Sequence, residues 1–400
     1  MTVLSPTTVV VPDDGIKPIG SDEWNYTVGL IRKRLDGNTT MYLRTDGNDS
    51  NDGTANTAGG AWLTPQGAFD YICRNIDLRG YVLTVQVADG TYTQAGGALL
   101  NINKQWIGGG SIKFLGNAGD RTAVKFQTTG SGVALVTWGV GSASGVMSGD
   151  FYITNIQLLG AQYGCAHNAI GSVFIDSCDV TGTLAHFTTT LQAHLFVIGT
   201  FEILGNSQFH VYANDMSYIG YSPTAVSTAS SRSFSVSFVA CFLNSFIDYA
   251  PVTVSGSGVT GKKYYVDKLS TINASGIAIS AFPGTTTGTN QFGLLQSGSG
   301  DLKMGIPDAM GIYDDAENEQ LIFQKTASAV NQFEITNAAT GNAPIVGTAG
   351  DDTDIDLALA PKGTGVVKFG THSAVAGETV SGYITVKDSA GNVRKLAVIS

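Results

Sequence analysis

The sequence predicts an all-β chain whose main body is a parallel β-helix, closed at its N-terminal end by one short helix. Three observations carry that prediction. Apolar residues recur in a fixed five-position pattern that returns after 22 to 23 residues. Charged residues make up only 14% of the chain while Gly numbers 51, so the polar surface is built from Thr, Ser, Asn and Gln between many turns. That balance suits strands better than helices. Finally, a single segment carries clear helix signals.

The chain divides into four zones. Residues 1–40 are rich in Pro, Thr and Val and end in "DEWNYTVGLIRKRLDGNTT". The opening "MTVLSPTTVVVPDDG" has neither the basic start nor the apolar run of a signal peptide. No apolar run is long enough to span a membrane, so no membrane insertion is expected.

Residues 41–290 are mostly strand-like. They open on "TDGNDSNDGT", which reads as a calcium loop or as a set of tight turns. A helix–loop–helix calcium loop wants Gly at its sixth position and Glu at its twelfth. Counted from Asp46 these are Asn51 and Thr57; counted from Asn48 they are Gly53 and Gly59. The stretch is therefore expected to reverse the chain after the strand at Met41–Arg44 and lay the following helix over the open end of the solenoid. That helix is predicted over "LTPQGAFDYICRNI", with Thr64 as N-cap and Pro65 at the first helical position. Ala68, Tyr71, Ile72 and Ile76 share its apolar face. Val82–Val87 follows as a strand.

The repeat places apolar residues at offsets 0, 2, 5, 7 and 9. It is carried by Phe151, Ile153, Ile156, Leu158 and Gly160, then by Val173, Ile175, Cys178, Val180 and Gly182. Phe196, Ile198, Phe201, Ile203 and Gly205 continue it. Phe234 to Leu243 and Tyr264 to Asn273 match after longer gaps. Steps of two are strand alternation, and the step of three marks a corner. The corner pairs Thr154–Asn155, Asp176–Ser177 and Gly199–Thr200 suit turns. Two short strands, a corner and a return make one rung of a β-helix, whose apolar residues stack on those of the next. The competing reading is an antiparallel sandwich.

Residues 291–370 are rich in Gly, Ala, Asn and Asp, with short strands. Residues 371–400 predict a hairpin, "GYITVKD" and "VRKLAVIS" joined by "SAGN".

With these elements placed, a resemblance emerges. "MYLRTDGNDSNDGT" with "WLTPQGAFDYI" resembles the start of pectate-lyase-like β-helices in bacteriophage tail proteins. "GKKYYVDKLSTINASG" with "FPGTTTGT" resembles their closing rungs. "ASAVNQFEITNAATGNAPIVGTAGDDTDIDLALAPKGTGVVKFG" is similar to a segment of phage fibre-like structural proteins. The resemblance implies a right-handed, pectin-lyase-like parallel β-helix over 41–290, followed by an intertwined trimeric β-structure over 291–370. It implies a homotrimeric tail spike or tail fibre of the virion, assembled in the host cytoplasm. Residues 1–40 would attach it to phage tail or capsid proteins, with Trp24 as a candidate anchor or a core aromatic. The partner outside the particle would be bacterial surface polysaccharide. Three roles stay open: attachment without catalysis, glycan depolymerisation, and a head fibre or decoration on the capsid. The zone at 291–370 agrees with trimerisation, because it has too few large apolar residues to bury a core alone.

Candidate chemistry follows from stacking. Offset 6 aligns Gln157, Asp179 and Glu202 on successive rungs. Asp179 and Glu202 would then be outward carboxylates roughly 5 Å apart, the separation of a retaining glycosidase; the plain reading is two solvated acids. Offset 1 aligns Tyr152, Phe174, Val197 and Tyr265 outward. Such a stripe stacks on sugars or packs against a partner chain. Cys165, His167, Cys178, His186, His194 and His210 crowd one region, yet their spacings match no zinc pattern, so no metal is expected. The four cysteines are expected reduced and buried. "IGGGSIKFLG" lacks the Lys and the helix of a nucleotide loop, and no cofactor is expected. A net charge of −10 disfavours nucleic acid.

Overall fold

The computed structural model describes residues 32–137, 147–250 and 252–399, the last with breaks at 253, 257, 275–280, 292, 297–301, 305–309, 314–318, 325, 368–378 and 388–391. They form two compact units that divide after Gln324. Trp24 lies outside the described residues.

The first unit is all-β and dominated by long parallel sheets. From Ser111 the chain visits three strand stacks in turn and returns. Ser111–Leu115, Val124–Thr129 and Val133–Thr137 make one circuit. Phe151–Thr154, Gln157–Leu159 and Tyr163–His167 make the next, then Ser172–Asp176, Val180–Thr181 and Ala185–Thr189. Each strand pairs in parallel with its counterpart one circuit away. In the first stack Phe114, Ile153, Ile175, Val197 and Tyr221 align in one inward column. All five are essentially inaccessible. Burying one such side chain contributes about 1.5–3 kcal/mol, and each rung adds several.

Three differences from the sequence reading have physical causes. A circuit holds three strands rather than two. The third-stack strands read "YGCAH" and "AHFTT", and Ala185–Thr189 is buried at every position. With both faces covered, no alternation remains to be read.

The third repeat also slips by one residue. Val173 pairs with Leu195 rather than Phe196, so Leu195 and Val197 point inward while Phe196 and Ile198 do not. In the earlier rungs the corner is turned by Asn155 and Ser177 at positive φ, and here by Gly199. An additional residue sits at Thr200, where the pairing with the next strand also shifts. The step from the inward Val197 to Phe201 is thus four residues, against three from Ile175 to Cys178. Finally, Phe234–Cys241 and Tyr264–Val266 belong to the third stack. The first-stack strands of those circuits are Tyr218–Thr228 and Phe246–Tyr249, and Thr271–Asn273 opens the next circuit.

The helix, α1, spans Pro65–Asn75 as predicted. The Gly67 N–H donates to the Thr64 hydroxyl at 2.9 Å, an N-cap. Phe69 and Ile72 enter the core, where Phe69 meets Trp106 and Phe151 edge-on at 6.3 and 6.2 Å. α1 packs against Ala98–Asn101, the terminal strand of the third stack. "TDGNDSNDGT" ties α1 down. Asp49 accepts from the N–H groups of Leu63 (2.9 Å) and Thr64 (2.8 Å) and from the Thr64 hydroxyl (2.7 Å). Gly53 sits at φ +74° against the Trp62 ring, where no Cβ fits. The Asp46 carboxylate forks onto Arg44 at 2.8 and 3.0 Å. Asp52 accepts from the Thr54 N–H and hydroxyl. The acids of this loop therefore serve turns and the helix end.

Parallel pairing continues to Leu294–Gln296, which then pairs antiparallel with Leu302–Met304. The second unit contains two antiparallel hairpins among its described residues. Asn331–Thr336 pairs with Ile345–Gly350, and Val380–Lys387 with Val393–Ile399. The latter is the hairpin the sequence predicts. Every residue of Asn331–Thr336 is exposed, with Ile335 at 73%. Tyr383, Ile384 and Leu396 are more than half exposed. No helix among the described residues is long and apolar enough to cross a membrane.

Candidate functional site: outward columns of the stacks

The acid column forms in the predicted register. Leu158 pairs with Val180 and Val180 with Ile203, which places Gln157, Asp179 and Glu202 side by side. Its surroundings differ from the expected open face. Asp179 is 1% exposed and paired with Arg121, which comes from the 3-10 turn at Arg121–Ala123. The same Asp179 oxygen accepts the Glu202 N–H at 2.8 Å, and the other accepts from the Gln157 amide at 3.1 Å. Glu202 is half-buried and accepts the Ala229 N–H at 2.9 Å. Asp179 thus accepts from three donors beneath a guanidinium. It joins the strands of Gln157 and Glu202 to the 3-10 turn of Arg121 and is closed off from solvent. The sequence carries no local signal for Arg121, since 58 residues separate the partners.

The aromatic stripe forms with altered membership. Tyr152, Phe174 and Phe196 align by strand register. Tyr152 and Phe174 stack at 4.6 Å and 12°, Phe174 and Phe196 at 4.7 Å and 11°. Tyr218 leans in next to Phe196 at 5.6 Å, where Gly220 leaves the room, and Phe246 stacks on Tyr218 at 5.8 Å. Val197 points inward and is not a member. Tyr265 lies on the third stack, stacked on Phe242 at 5.0 Å, its hydroxyl donating to Gln291 at 2.6 Å. Phe196 was missed because the one-residue slip reverses which side chains face out, and Tyr218 and Phe246 because their first-stack strands lay outside the repeat as read from the sequence. The geometry limits what the stripe can do. Faces inside a stack are already covered by neighbouring rings, so a sugar finds edges there rather than open faces.

The histidines do not form a metal site. Among the described residues no group of three or more His, Cys, Asp or Glu could hold an ion. His167 is fully buried, with Nδ1 2.6 Å from the Thr137 hydroxyl and Nε2 3.0 Å from the Gly171 carbonyl. His186 and His210 face each other through Nδ1 at 2.8 Å, and His210 Nε2 is 2.9 Å from the Tyr221 hydroxyl. Burial lowers His167 to about 4 and His186 to about 3. His210 is lowered by the same desolvation and by its neighbour His186. All three are neutral core residues at pH 7. His194 is exposed on the first stack beside Tyr218. All four cysteines are free and buried, and burial pushes Cys73, Cys178 and Cys241 up to about 12.

A groove of about 520 Å³ opens beside the start of α1, lined among others by Thr45, Thr64, Gln66, Thr93, Gln94 and Leu99. The Thr64 hydroxyl and the Gln66 amide are engaged within the chain, the first by Asp49 and the Gly67 N–H, the second by Asp70 and the Asn101 N–H. The other polar lining groups, Thr45, Thr93 and Gln94 among them, are uncharged hydroxyls and amides of the kind that complements a sugar hydroxyl. Compared with protein-family models, curated proteins and solved structures, the chain matches none.

Proposed function

We propose that this chain is a virion structural protein of a bacteriophage, a homotrimeric tail spike or fibre that attaches to host surface polysaccharide without catalysis. Its first unit is read as a right-handed parallel β-helix of the pectin-lyase type. In-register parallel pairing, three strands per circuit and continuous inward columns support that reading. The observation that carries the trimer is the second unit. Its hairpins expose Phe333, Ile335, Ile345, Tyr383 and Ile384, and isolated two-stranded hairpins are marginal in water. Copies wrapped together would bury what one chain exposes.

Attachment without cleavage is favoured by the acid column. Asp179 is occupied by Arg121, Gln157 and the Glu202 amide, so this column offers no free pair of carboxylates for acid–base work. The uncharged groove beside α1 supplies a surface suited to glycan. The test is direct. Light scattering on the full chain is expected to give three times 41.6 kDa. Surface polysaccharide from the propagating host should be retained by the protein and keep its size. Shortening of the polymer sinks the non-catalytic reading, and monomers sink the trimer. Imaging the protein on intact particles separates tail from head.

A further inference from the structure

The corner between the third and first stacks carries an unusual ridge. Four successive circuits turn it with two residues at positive φ: Leu191–Gln192, Asp215–Met216, Leu243–Asn244 and Lys268–Leu269. The turns are stacked in register. The Gln192 N–H donates to the Asp215 carbonyl, Met216 to Leu243 and Asn244 to Lys268, at 3.0–3.1 Å. Each turn presents one large apolar side chain to solvent, alternating between the first and second position. Leu191, Met216, Leu243 and Leu269 are 43, 56, 39 and 60% exposed.

Two independent costs meet at each of these positions. The left-handed region disfavours a branched or long side chain by about 1 kcal/mol, where Asn or Gly would be cheap. Solvent exposure of a Leu or Met gains nothing for the fold. Beneath the ridge the backbone is fixed firmly. The N–H of Ser217 donates to the Ser245 hydroxyl and that of Ser245 to the Ser270 hydroxyl, both at 3.2 Å. The apolar knobs are therefore held at fixed places with 39–60% of their surface left open.

We propose that this ridge is the contact between copies of the chain, facing its equivalents across the assembly axis. The inference rests on the trimeric reading above and names the surface that makes it. Periodicity and charge select a second copy as the occupant. Knobs repeat at the rung spacing, about 4.8 Å, and alternate sideways, so a partner must offer gaps at the same pitch over four rungs. A neighbouring copy of this solenoid has that pitch. Charge points the same way. The chain carries −10, which makes copies repel, yet the turn positions of the ridge hold one acid, Asp215, and one base, Lys268. The turn positions of the ridge therefore carry no net charge, so copies approaching along this line escape the overall repulsion of the chain, with Asp215 and Lys268 each meeting its own equivalents at its own level. Phe246, 38% exposed on the adjoining strand, extends the apolar strip onto the first stack.

The experiment uses the full chain and two variants. In M216C the new thiol is exposed while the four native thiols are buried, so a short bis-maleimide joins copies only where ridges meet. Crosslinked chains in most of the trimer are expected. The second variant replaces Leu191, Met216, Leu243 and Leu269 with Asn, which tolerates the left-handed region and should preserve the strand signature in circular dichroism. Its concentration of half-dissociation is expected to rise about tenfold or more. Trimers that give no crosslink at position 216 overturn the ridge and leave the trimer standing. A monomeric wild-type chain overturns both. Should the Asn variant misfold, the crosslink alone decides.

Discussion

Acid should weaken this fold well above the range in which carboxylates titrate, and His167 gives the cleanest handle on that effect. The ring is buried, accepts at Nδ1 from the Thr137 hydroxyl and donates from Nε2 to the Gly171 carbonyl. Both partners suit the neutral form. Its pKa falls from 6.5 to about 4, chiefly by desolvation, which outweighs the opposing effect of the Gly171 carbonyl. The unfolded chain therefore binds a proton near pH 6.5 that the folded chain refuses until about pH 4. The stabilising effect is complete above pH 6.5 and is lost as pH falls toward 4. Between pH 7 and pH 5 the loss from this one group is about 2 kcal/mol. Urea unfolding of the wild type and His167→Gln at those two pH values isolates it. Gln keeps a donor for the Gly171 carbonyl and cannot titrate. It should cost about 1 kcal/mol at pH 7 through the weakened Thr137 contact. The stability difference between pH 7 and 5 should shrink by about 2 kcal/mol in the variant. The residual slope belongs to His186 and His210, whose shifts have the same sign. Identical slopes in the two proteins would refute the assignment.

Three further outcomes are expected. Asp179→Ala should destabilise by about 3 kcal/mol, read by denaturant midpoint, because Arg121 and the Gln157 and Glu202 donors lose their acceptor. On the attachment reading proposed above, polysaccharide retention per folded molecule should be unchanged. Asp49→Ala should cost about 1–2 kcal/mol in thermal melts, since it frees two N–H groups and a hydroxyl at the start of α1; an unaltered melt would argue that the loop does not secure the helix. Gly53→Ala should cost about 3 kcal/mol or more, combining a left-handed backbone with a clash on Trp62, whereas Gly96→Ala, also left-handed but facing open space, should cost only about 1 kcal/mol.

What the sequence determined by itself is local. Thr64 and Pro65 mark the start of α1, because cap and first-turn chemistry act over three or four residues. The C-terminal hairpin follows from alternation and a turn. Side-by-side placement of Gln157, Asp179 and Glu202 follows from the repeat, since matching offsets in successive circuits, 22 and 23 residues apart, become neighbours across the stack. The tertiary structure decided everything that depends on what lies opposite. The third-stack strands of the early circuits, such as Ala185–Thr189, are invisible in sequence because burial on both faces erases alternation. One additional corner residue after Gly199 exchanges Phe196 for Val197 on the outer face, and nothing local distinguishes the two. Arg121 reaches Asp179 across two circuits and turns a candidate acid into a structural acceptor. The corner ridge is of the same kind. Leu191, Met216, Leu243 and Leu269 look like core residues in a string of letters, and only backbone geometry places them outside. A periodic sequence fixes which residues are neighbours along a stack; which side of the backbone they occupy is set by the corners, where a single residue reverses it.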